Sequence, residues 1–355
     1  SDLQQSSEVG YCEWQGMEVI KILQGNCLEV LKDLPEQSVN TCITSPPFWG
    51  LRDYGTAEWE GGDENCDHLE KTSGMSDKNT LGPKKHLPNT NQANVSGKIQ
   101  YKKKCAKCGA LREDKQLGLE DTPEEFVENL VKVFREVKRV LRDDGTVWLN
   151  LGDSFSKEKQ LNGIPWRVAF ALQSDGWYLR QDIIWHKPAP MPESVTDRCT
   201  KAHEYIFLLS KNKKYYFDNE SIKEDAVGNN PGNKTKHRAV GQSFSETKNN
   251  IDKISAVSKR NKRSVWTVPT KPFTGAHFAV FPPDLIKPCV LAGCPEGGTV
   301  LDPFGGAGTT GLVAQQHNRN CILIELNPEY AQIARDRLYN DAPLFADVKS
   351  EVWKN

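Results

Sequence analysis

One segment constrains the fold of this chain more than any other. Residues 299–310, Thr299-Val300-Leu301-Asp302-Pro303-Phe304-Gly305-Gly306-Ala307-Gly308-Thr309-Thr310, read as a strand, a glycine-rich turn and the start of a helix. The spacing predicts that helix over Thr309–His317 and a further strand over Cys321–Leu326, with an acid, Glu325, near its end. Two strands joined through a helix run parallel in one sheet, because the crossover carries the chain back to the same edge. Glycines at 306 and 308 let a backbone approach a ligand closely, and the free N–H groups of the following helix suit a carboxylate. An acid at the next strand end is placed for ribose hydroxyls.

The same alternation recurs along the chain. A strand is expected at Glu18–Leu23, helical spacing follows at Leu28–Leu34, and Val39–Thr44 reads as a buried strand. Thr122-Pro123-Glu124-Glu125 is a good helix start. Phe126, Leu130, Val133, Phe134, Val137 and Leu141 then form one apolar face, and Gly145 is expected to close the helix before a strand at Thr146–Leu151. Pro165–Ser174 and Pro328–Tyr339 read as helices, Tyr178–Trp185 and Tyr205–Leu209 as strands. Strands alternating with helices predict an α/β fold with a doubly wound parallel sheet.

A second motif sits at the end of the buried strand. Ser45-Pro46-Pro47-Phe48 follows Thr44 directly, and two prolines there forbid both continuation of the strand and an immediate helix. A tight, rigid loop therefore stands at the strand's carboxyl end. Its prolines cannot donate, so the loop offers acceptors: the Ser45 side chain and the Pro46 carbonyl. Phe48 offers a face on which a planar base can stack. Trp49, Arg52 and Tyr54 follow and either line that pocket or pack beneath it.

Two stretches interrupt the alternation. Residues 55–118 and 218–263 are polar and without period, and such long connections inside a compact domain carry function or lack order. Both are basic on a chain whose net charge is −1: residues 71–104 hold 8 Lys against one acid, and residues 201–263 hold 14 Lys or Arg against 7 Asp or Glu. Two basic segments on a neutral chain point to a bound polyanion. The domain division expected is a catalytic body of residues 1–54, 119–217 and 264–355, an inserted loop at 55–118 and a recognition segment at 218–263.

Ten cysteines without a secretory signal suit a reducing compartment. No apolar run approaches the ~20 residues of a membrane span, and the polar Ser1–Ile20 stretch does not resemble a signal peptide. Ser1 in place of Met is read as a trimmed start. A bacterial or phage host implies the cytoplasm, a eukaryotic host the nucleus; monomer and homodimer stay open. Cys66-Asp67-His68 and Cys105-Ala106-Lys107-Cys108-Gly109 flank the first basic insertion. Two thiols two residues apart before a glycine suit a zinc knuckle, and Cys66 with His68 would complete a Cys3His set for a structural zinc.

The two motifs together make the chain resemble the DNA amino-methyltransferases, and most closely the N4-cytosine group, whose catalytic loop is Ser-Pro-Pro-Phe or Ser-Pro-Pro-Tyr. The order, catalytic loop first and glycine turn last, is similar to the circularly permuted β class. Gly25-Asn26-Cys27-Leu28-Glu29-Val30-Leu31, His277-Phe278-Ala279-Val280-Phe281-Pro282 and Ile324-Glu325-Leu326 resemble further family segments. The resemblance implies a Rossmann-like methyltransferase fold, S-adenosylmethionine as cofactor and DNA as partner, with the target base flipped out of the duplex. It assigns catalysis to Ser45, Pro46, Pro47 and Phe48. Cofactor contacts fall to Asn26, Phe281, Asp302, Phe304, Gly306, Gly308, Thr309 and Glu325. Asn26 stands where relatives usually have Asp and is expected to meet the adenine amino group through its carbonyl. The recognition of bases falls to 218–263.

Transfer to an amino group needs no covalent enzyme intermediate. Pro288-Cys289, the pair a C5-directed enzyme would need as its nucleophile, lies in an apolar helical stretch, Leu285–Leu291, and is expected in the core. Adenine-N6 methylation and an inactive cofactor-binding nucleic-acid module remain alternatives. A protein-glutamine methyltransferase would normally open its loop with Asn.

Overall fold

The computed structural model describes residues 19–51, 53–71, 98–100, 103–226, 259–270, 281–341 and 347–353, with the backbone alone at 70, 71, 98–100 and 347. Among them, nine strands form one sheet: β1 Val19–Gln24, β2 Val39–Thr44, β3 Leu141–Leu151, β4 Tyr178–His186, β5 His203–Ser210, β6 Val265–Thr267, β7 Thr299–Asp302, β8 Asn320–Glu325 and β9 Asp347–Val352. The order across the sheet is β6-β4-β5-β3-β2-β7-β8-β1-β9. Only β5 pairs antiparallel with its neighbours; every other pairing is parallel.

Among the described residues, six α-helices cover the two faces: α1 Cys27–Asp33, α2 Pro123–Val140, α3 Ile164–Ser174, α4 Pro283–Gly293, α5 Thr309–Gln316 and α6 Pro328–Asp341. Strand residues alternate between two cores. Cys42, Val147, Leu149, Phe207, Leu301 and Ile324 pack under α1, α2 and α3. Ile43, Trp148, Ile206, Leu208, Val300 and Leu323 pack under α4, α5 and α6. Period-two alternation in a sheet covered on both sides gives runs that are apolar throughout, as at Val39–Thr44. The chain is the doubly wound α/β protein that its sequence implies.

Local signals explain the boundaries. Thr122 caps α2, its side chain accepting from Glu125 N at 3.2 Å, and Pro123 opens the first turn. The other end differs from expectation. The helix stops at Val140, and Leu141 turns extended to begin β3, so Gly145 lies inside the strand instead of closing the helix. The register shifts between Val39 and Thr41 on the partner β2, absorbing the exposed residues 142–144 as an irregularity.

The insertion 55–118 is more ordered than its composition suggests. Its described parts contain two antiparallel ladders, Glu58–Glu60 with Leu111–Glu113 and Leu69–Lys71 with Lys98–Gln100. Of the segment 218–263, residues 218–226 and 259–263 are described. They pair as Glu224–Asp225 with Lys259–Arg260, and Asp218 N donates to Ala292 O at the last turn of α4. Residues 72–97, residues 227–258, the start of the chain at 1–18, and His277 to Val280 lie outside the described residues. No described helix is long and apolar enough to cross a membrane.

Candidate active site

The two motifs meet at the middle of the sheet, where β2 and β7 lie side by side and the winding direction reverses. In open α/β sheets a crevice forms at this switch point, outside the carboxyl ends of the strands. One hydrogen-bond centre locks them together. The Asp302 carboxylate accepts from Thr44 Oγ1 at 2.6 Å, from Thr310 Oγ1 at 2.6 Å and from Phe304 N at 3.0 Å. It thereby ties the last residue of β2, the glycine turn and the first turn of α5. Burial pushes the Asp302 carboxyl up to about 6, against the pull of these donors. Asp302 lines the cleft, but its oxygens hold protein groups.

The cleft above this centre opens to solvent and has a cavity volume of about 130 Å³. It gathers Asn26, Ser45, Pro47, Phe281, Asp302, Phe304, Gly306, Thr309 and Glu325, all singled out in the sequence. Glu325 sits at the end of β8, its two oxygens accepting from Gly306 N at 2.7 Å and Asn327 N at 2.8 Å. Burial raises its pKa to about 7. Gly306 has φ +50°, and nothing but the Phe304 carbonyl at 3.9 Å would meet a Cβ there. The backbone is left open toward the cleft, as a close ligand approach requires.

Gly308 does something else. At φ +74° it precedes α5, and a Cβ would come within 2.9 Å of the Ala334 Cβ on α6. Its bareness serves the approach of two helices, and it does not line the cleft. Asn26 also departs from expectation. Its Oδ1 caps α1, accepting from Leu28 N at 3.0 Å and Glu29 N at 3.4 Å. The side-chain carbonyl is engaged, and the group left for a ligand is the amide NH2, a donor.

Ser45 stands at the mouth of β2. Its hydroxyl donates to Asn150 Oδ1 at 3.1 Å. Asn150 in turn donates to Glu204 Oε2 at 3.1 Å and to Tyr205 O at 3.1 Å, which fixes its amide orientation. Lys187 ion-pairs with Glu204 from the end of β4. With its proton committed to Asn150, Ser45 Oγ presents lone pairs as an acceptor. Pro46 is buried. Phe48 lies over Gly152, where a Cβ would approach its ring to 2.5 Å, so only glycine permits this ring position at the end of β3.

Sequence reasoning missed several residues. Asn150 and Glu204 could have been found, since Asn150 is a polar residue 4% exposed within an apolar strand. Tyr54 lines the cleft, one of the two placements its position in the sequence left open, whereas Thr56, Lys115, Gln116 and Leu117 line it from the insertion, whose composition carried no signal of this. Tyr330 lines it from α6, edge-on to Tyr54 with ring centroids 6.0 Å apart. Trp49 packs on the core and donates to Glu120 O at 3.0 Å, which makes it a packing residue; Arg52 lies outside the described residues. Cys289 is fully buried in α4 and burial raises its thiol pKa far above the usual range, so it is a core residue. Cys66, His68, Cys105 and Cys108 converge, their donor atoms all within 4.8 Å of one another.

Comparison with known proteins agrees with this geometry. A family model described as DNA methylase matches residues 39–336. The type II methyltransferase M.SmaI of Serratia marcescens is 39% identical, over 92% of this chain and 93% of that protein. M.Cfr9I of Citrobacter freundii is 38% identical, over 90% and 88%. Among solved structures, the PvuII DNA methyltransferase, titled cytosine-N4-specific, superposes with a TM-score of 0.56 at 18% identity, covering 90% of this chain and 87% of that one. TTHA0409 of Thermus thermophilus, solved with S-adenosyl-L-methionine, gives 0.53 at 22% identity over 95% and 100%.

Proposed function

The chain belongs to the DNA methylase family, and on that premise we propose that it methylates the exocyclic N4 amino group of cytosine in a specific DNA sequence, using S-adenosylmethionine. The observation that carries the choice of chemistry is Ser45, held as an acceptor by Asn150 in the same cleft as the glycine turn. The cleft suits the cofactor. Glu325 offers a carboxylate to ribose hydroxyls, Gly306 lets a ligand reach the backbone, and Phe281, Phe304, Ile324 and Tyr330 supply apolar walls. The first turn of α5, at Thr309, suits a carboxylate. When bound, S-adenosylmethionine supplies an electrophilic methyl group on its sulfonium sulfur.

The chain's own part is positioning. An aromatic amine is a poor nucleophile because its lone pair is delocalised into the ring. Ser45 Oγ and the Pro46 carbonyl accept from the two amino hydrogens, which holds the nitrogen and localises its lone pair for in-line attack. Phe48 provides a stacking face for the extruded base. Extrusion costs a few kcal/mol, and stacking on an aromatic returns about 1–3 kcal/mol. No enzyme nucleophile takes part. We assign the reading of bases to residues 218–263 and place the catalytic body at 1–54, 119–217 and 264–355. Lys, Arg, Asn and Gln in the recognition segment suit phosphate and base-edge contacts. With bacterial relatives, the reading places the enzyme in a bacterial cytoplasm.

The test uses labelled S-adenosylmethionine and unmethylated DNA, digested to nucleosides after reaction. Label in N4-methyldeoxycytidine is the expected result. Label in N6-methyldeoxyadenosine overturns the choice of base, and binding without any label leaves a nucleic-acid module.

A further inference from the structure

The Cys/His cluster of the insertion lies outside the chemistry described so far, yet its geometry is specific. Cys66 Sγ and Cys105 Sγ are 3.7 Å apart, and Cys108 Sγ lies 3.5 Å from His68 Nδ1. A tetrahedral zinc with Zn–S about 2.3 Å and Zn–N about 2.0–2.1 Å separates its ligands by about 3.8 Å for two sulfurs and about 3.6 Å for sulfur and nitrogen. Both observed separations match that pattern.

The surrounding backbone is built to hold these four groups. Cys105 N donates to Ala110 O at 2.8 Å and Gly109 N to Cys105 O at 2.9 Å, closing a tight turn around the two thiols. Gly62 faces them so closely that a Cβ there would lie 2.8 Å from Cys108 Sγ. His68 adopts φ +47°, a strained conformation for a residue with a side chain. Its ring stacks on Trp59, with centroids 4.4 Å apart and planes within 10°. Such strain persists where surrounding contacts over-determine it, and ligation would be one more such contact.

We propose that Cys66, His68, Cys105 and Cys108 bind one structural zinc ion, and that this ion fixes the wall which the insertion contributes to the cofactor cleft. Four protein ligands leave no position open for catalysis. The second half of the proposal rests on reading the cleft as the S-adenosylmethionine site. A continuous path joins the two places. Trp59, which carries His68, pairs with Arg112 across the ladder of the insertion. The Arg112 guanidinium, 6% exposed, binds Asp53 at 2.6 Å and Asp114 at 2.9 Å. Asp114 accepts from Thr56 Oγ1 at 2.8 Å and from Gln116 N at 3.0 Å, and Gln116 Oε1 accepts from Tyr54 N at 2.7 Å. Tyr54, Thr56 and Gln116 line the cleft. The wall ends just past the catalytic loop, where Gly50 N donates to Gly118 O at 2.9 Å. The described ladders are three residues long, too short to hold such a wall by themselves, so an ion at their base supplies the missing constraint.

Elemental analysis of the full chain is expected to give one zinc per protein. Cobalt substitution should give the absorption of a tetrahedral thiolate site. The double variant C105S/C108S should lose the metal, while Cys199→Ser, at an exposed thiol remote from the cluster in sequence, should keep it. A chain that takes up neither zinc nor cobalt, or a double variant that retains the ion, overturns the site. For the coupling, amide exchange at 53–60 and 111–118 should rise on removal of the zinc, and the affinity for S-adenosylmethionine should fall at least tenfold. Zinc loss with unchanged exchange sinks the coupling. A zinc-loaded chain with a protected wall that fails to bind S-adenosylmethionine refutes the reading of the cleft and leaves the metal site standing.

Discussion

At the residue scale, the site rests on which partner holds each polar atom. Ser45 gives its proton to Asn150, so its oxygen can only accept from a target amine. Ser45→Ala removes that acceptor and touches none of the cofactor-facing groups. Turnover should fall about 10²–10³-fold, the usual scale for losing one preorganised hydrogen bond to a transition state. The Kd for S-adenosylmethionine should stay within about twofold. Single-turnover rates and calorimetry separate the two, and an equal loss in both would contradict the assigned role. Glu325 carries a pH dependence whose sign follows from its burial. Its pKa stands at about 7 in the free protein, well above the ordinary carboxylate value. The ionised form is the better acceptor for ribose hydroxyls, so cofactor affinity should be flat above pH 7. Below pH 7 it should weaken by up to tenfold per unit, because the carboxylate must first lose a proton. For folding the sign is opposite. A raised folded pKa means that the protonated form favours the native state, so this stabilisation is complete below about pH 4.5 and is lost as pH rises through 7. Asp302, at about 6, acts in the same direction. Weaker binding at pH 6 with no loss of Tm therefore marks Glu325, and Glu325→Gln should flatten the binding profile.

At the element scale, the glycine turn shows two glycines of one motif with different duties. Gly306 faces the cleft, whereas Gly308 lets α5 meet α6 at Ala334. Both have positive φ, so alanine at either costs about 1 kcal/mol in backbone strain. At Gly308 the contact with Ala334 adds about 1–3 kcal/mol of overpacking. Gly308→Ala should therefore lower Tm more than Gly306→Ala, and Gly306→Ala should weaken cofactor binding more. Thermal melts and calorimetry on both variants decide it; the reverse ranking would return Gly308 to the cofactor. The motif was legible in the sequence, but the division of labour was not, because Ala334 is 26 residues away and nothing local announces it. Strands β2 and β7 were legible because fully buried runs end at Pro or Gly signals. The end of α2 was misread, since Leu141 is equally apolar as a helix face or a strand start, and Gly145 imitates a helix stop. The insertion was illegible for a different reason. The ladder that carries Arg112 is held by that buried guanidinium and its two carboxylate partners, which hydrophobic periodicity does not register; the Cys/His set alone was legible, through its spacing.

At the scale of the whole molecule, the permuted motif order places β1 at a vulnerable position. It supplies Gly25 and Asn26 to the cleft, and its outer neighbour is β9, at the far end of the chain. The pairing is parallel from Val19 with Asp347 to Gln24 with Val352. Trp353 continues the contact, donating from its backbone N to Gln24 O at 3.0 Å and from Nε1 to Asp33 Oδ2 at 2.6 Å. A Cβ at Gly25 would lie 3.3 Å from the Trp353 Cβ, so this indole packs directly behind the residues that face the ligand. The family match ends at residue 336, yet β9 and Trp353 back the Gly25–Asn26 turn that lines the site. Ending the chain after Asp341 should expose β1 as a sheet edge and free the Gly25–Asn26 turn. Tm should fall by several degrees, since each kcal/mol shifts a domain of 150–250 residues by about 2–4 °C. Cofactor affinity should weaken by about fivefold, equivalent to roughly 1 kcal/mol, because the α1 cap at Asn26 loses its support. Trp353→Ala should reproduce the affinity loss with a smaller change in Tm. If the shortened chain binds S-adenosylmethionine as tightly as the full one, β9 only covers an edge, and the cleft is fixed by β2, β7 and the insertion alone.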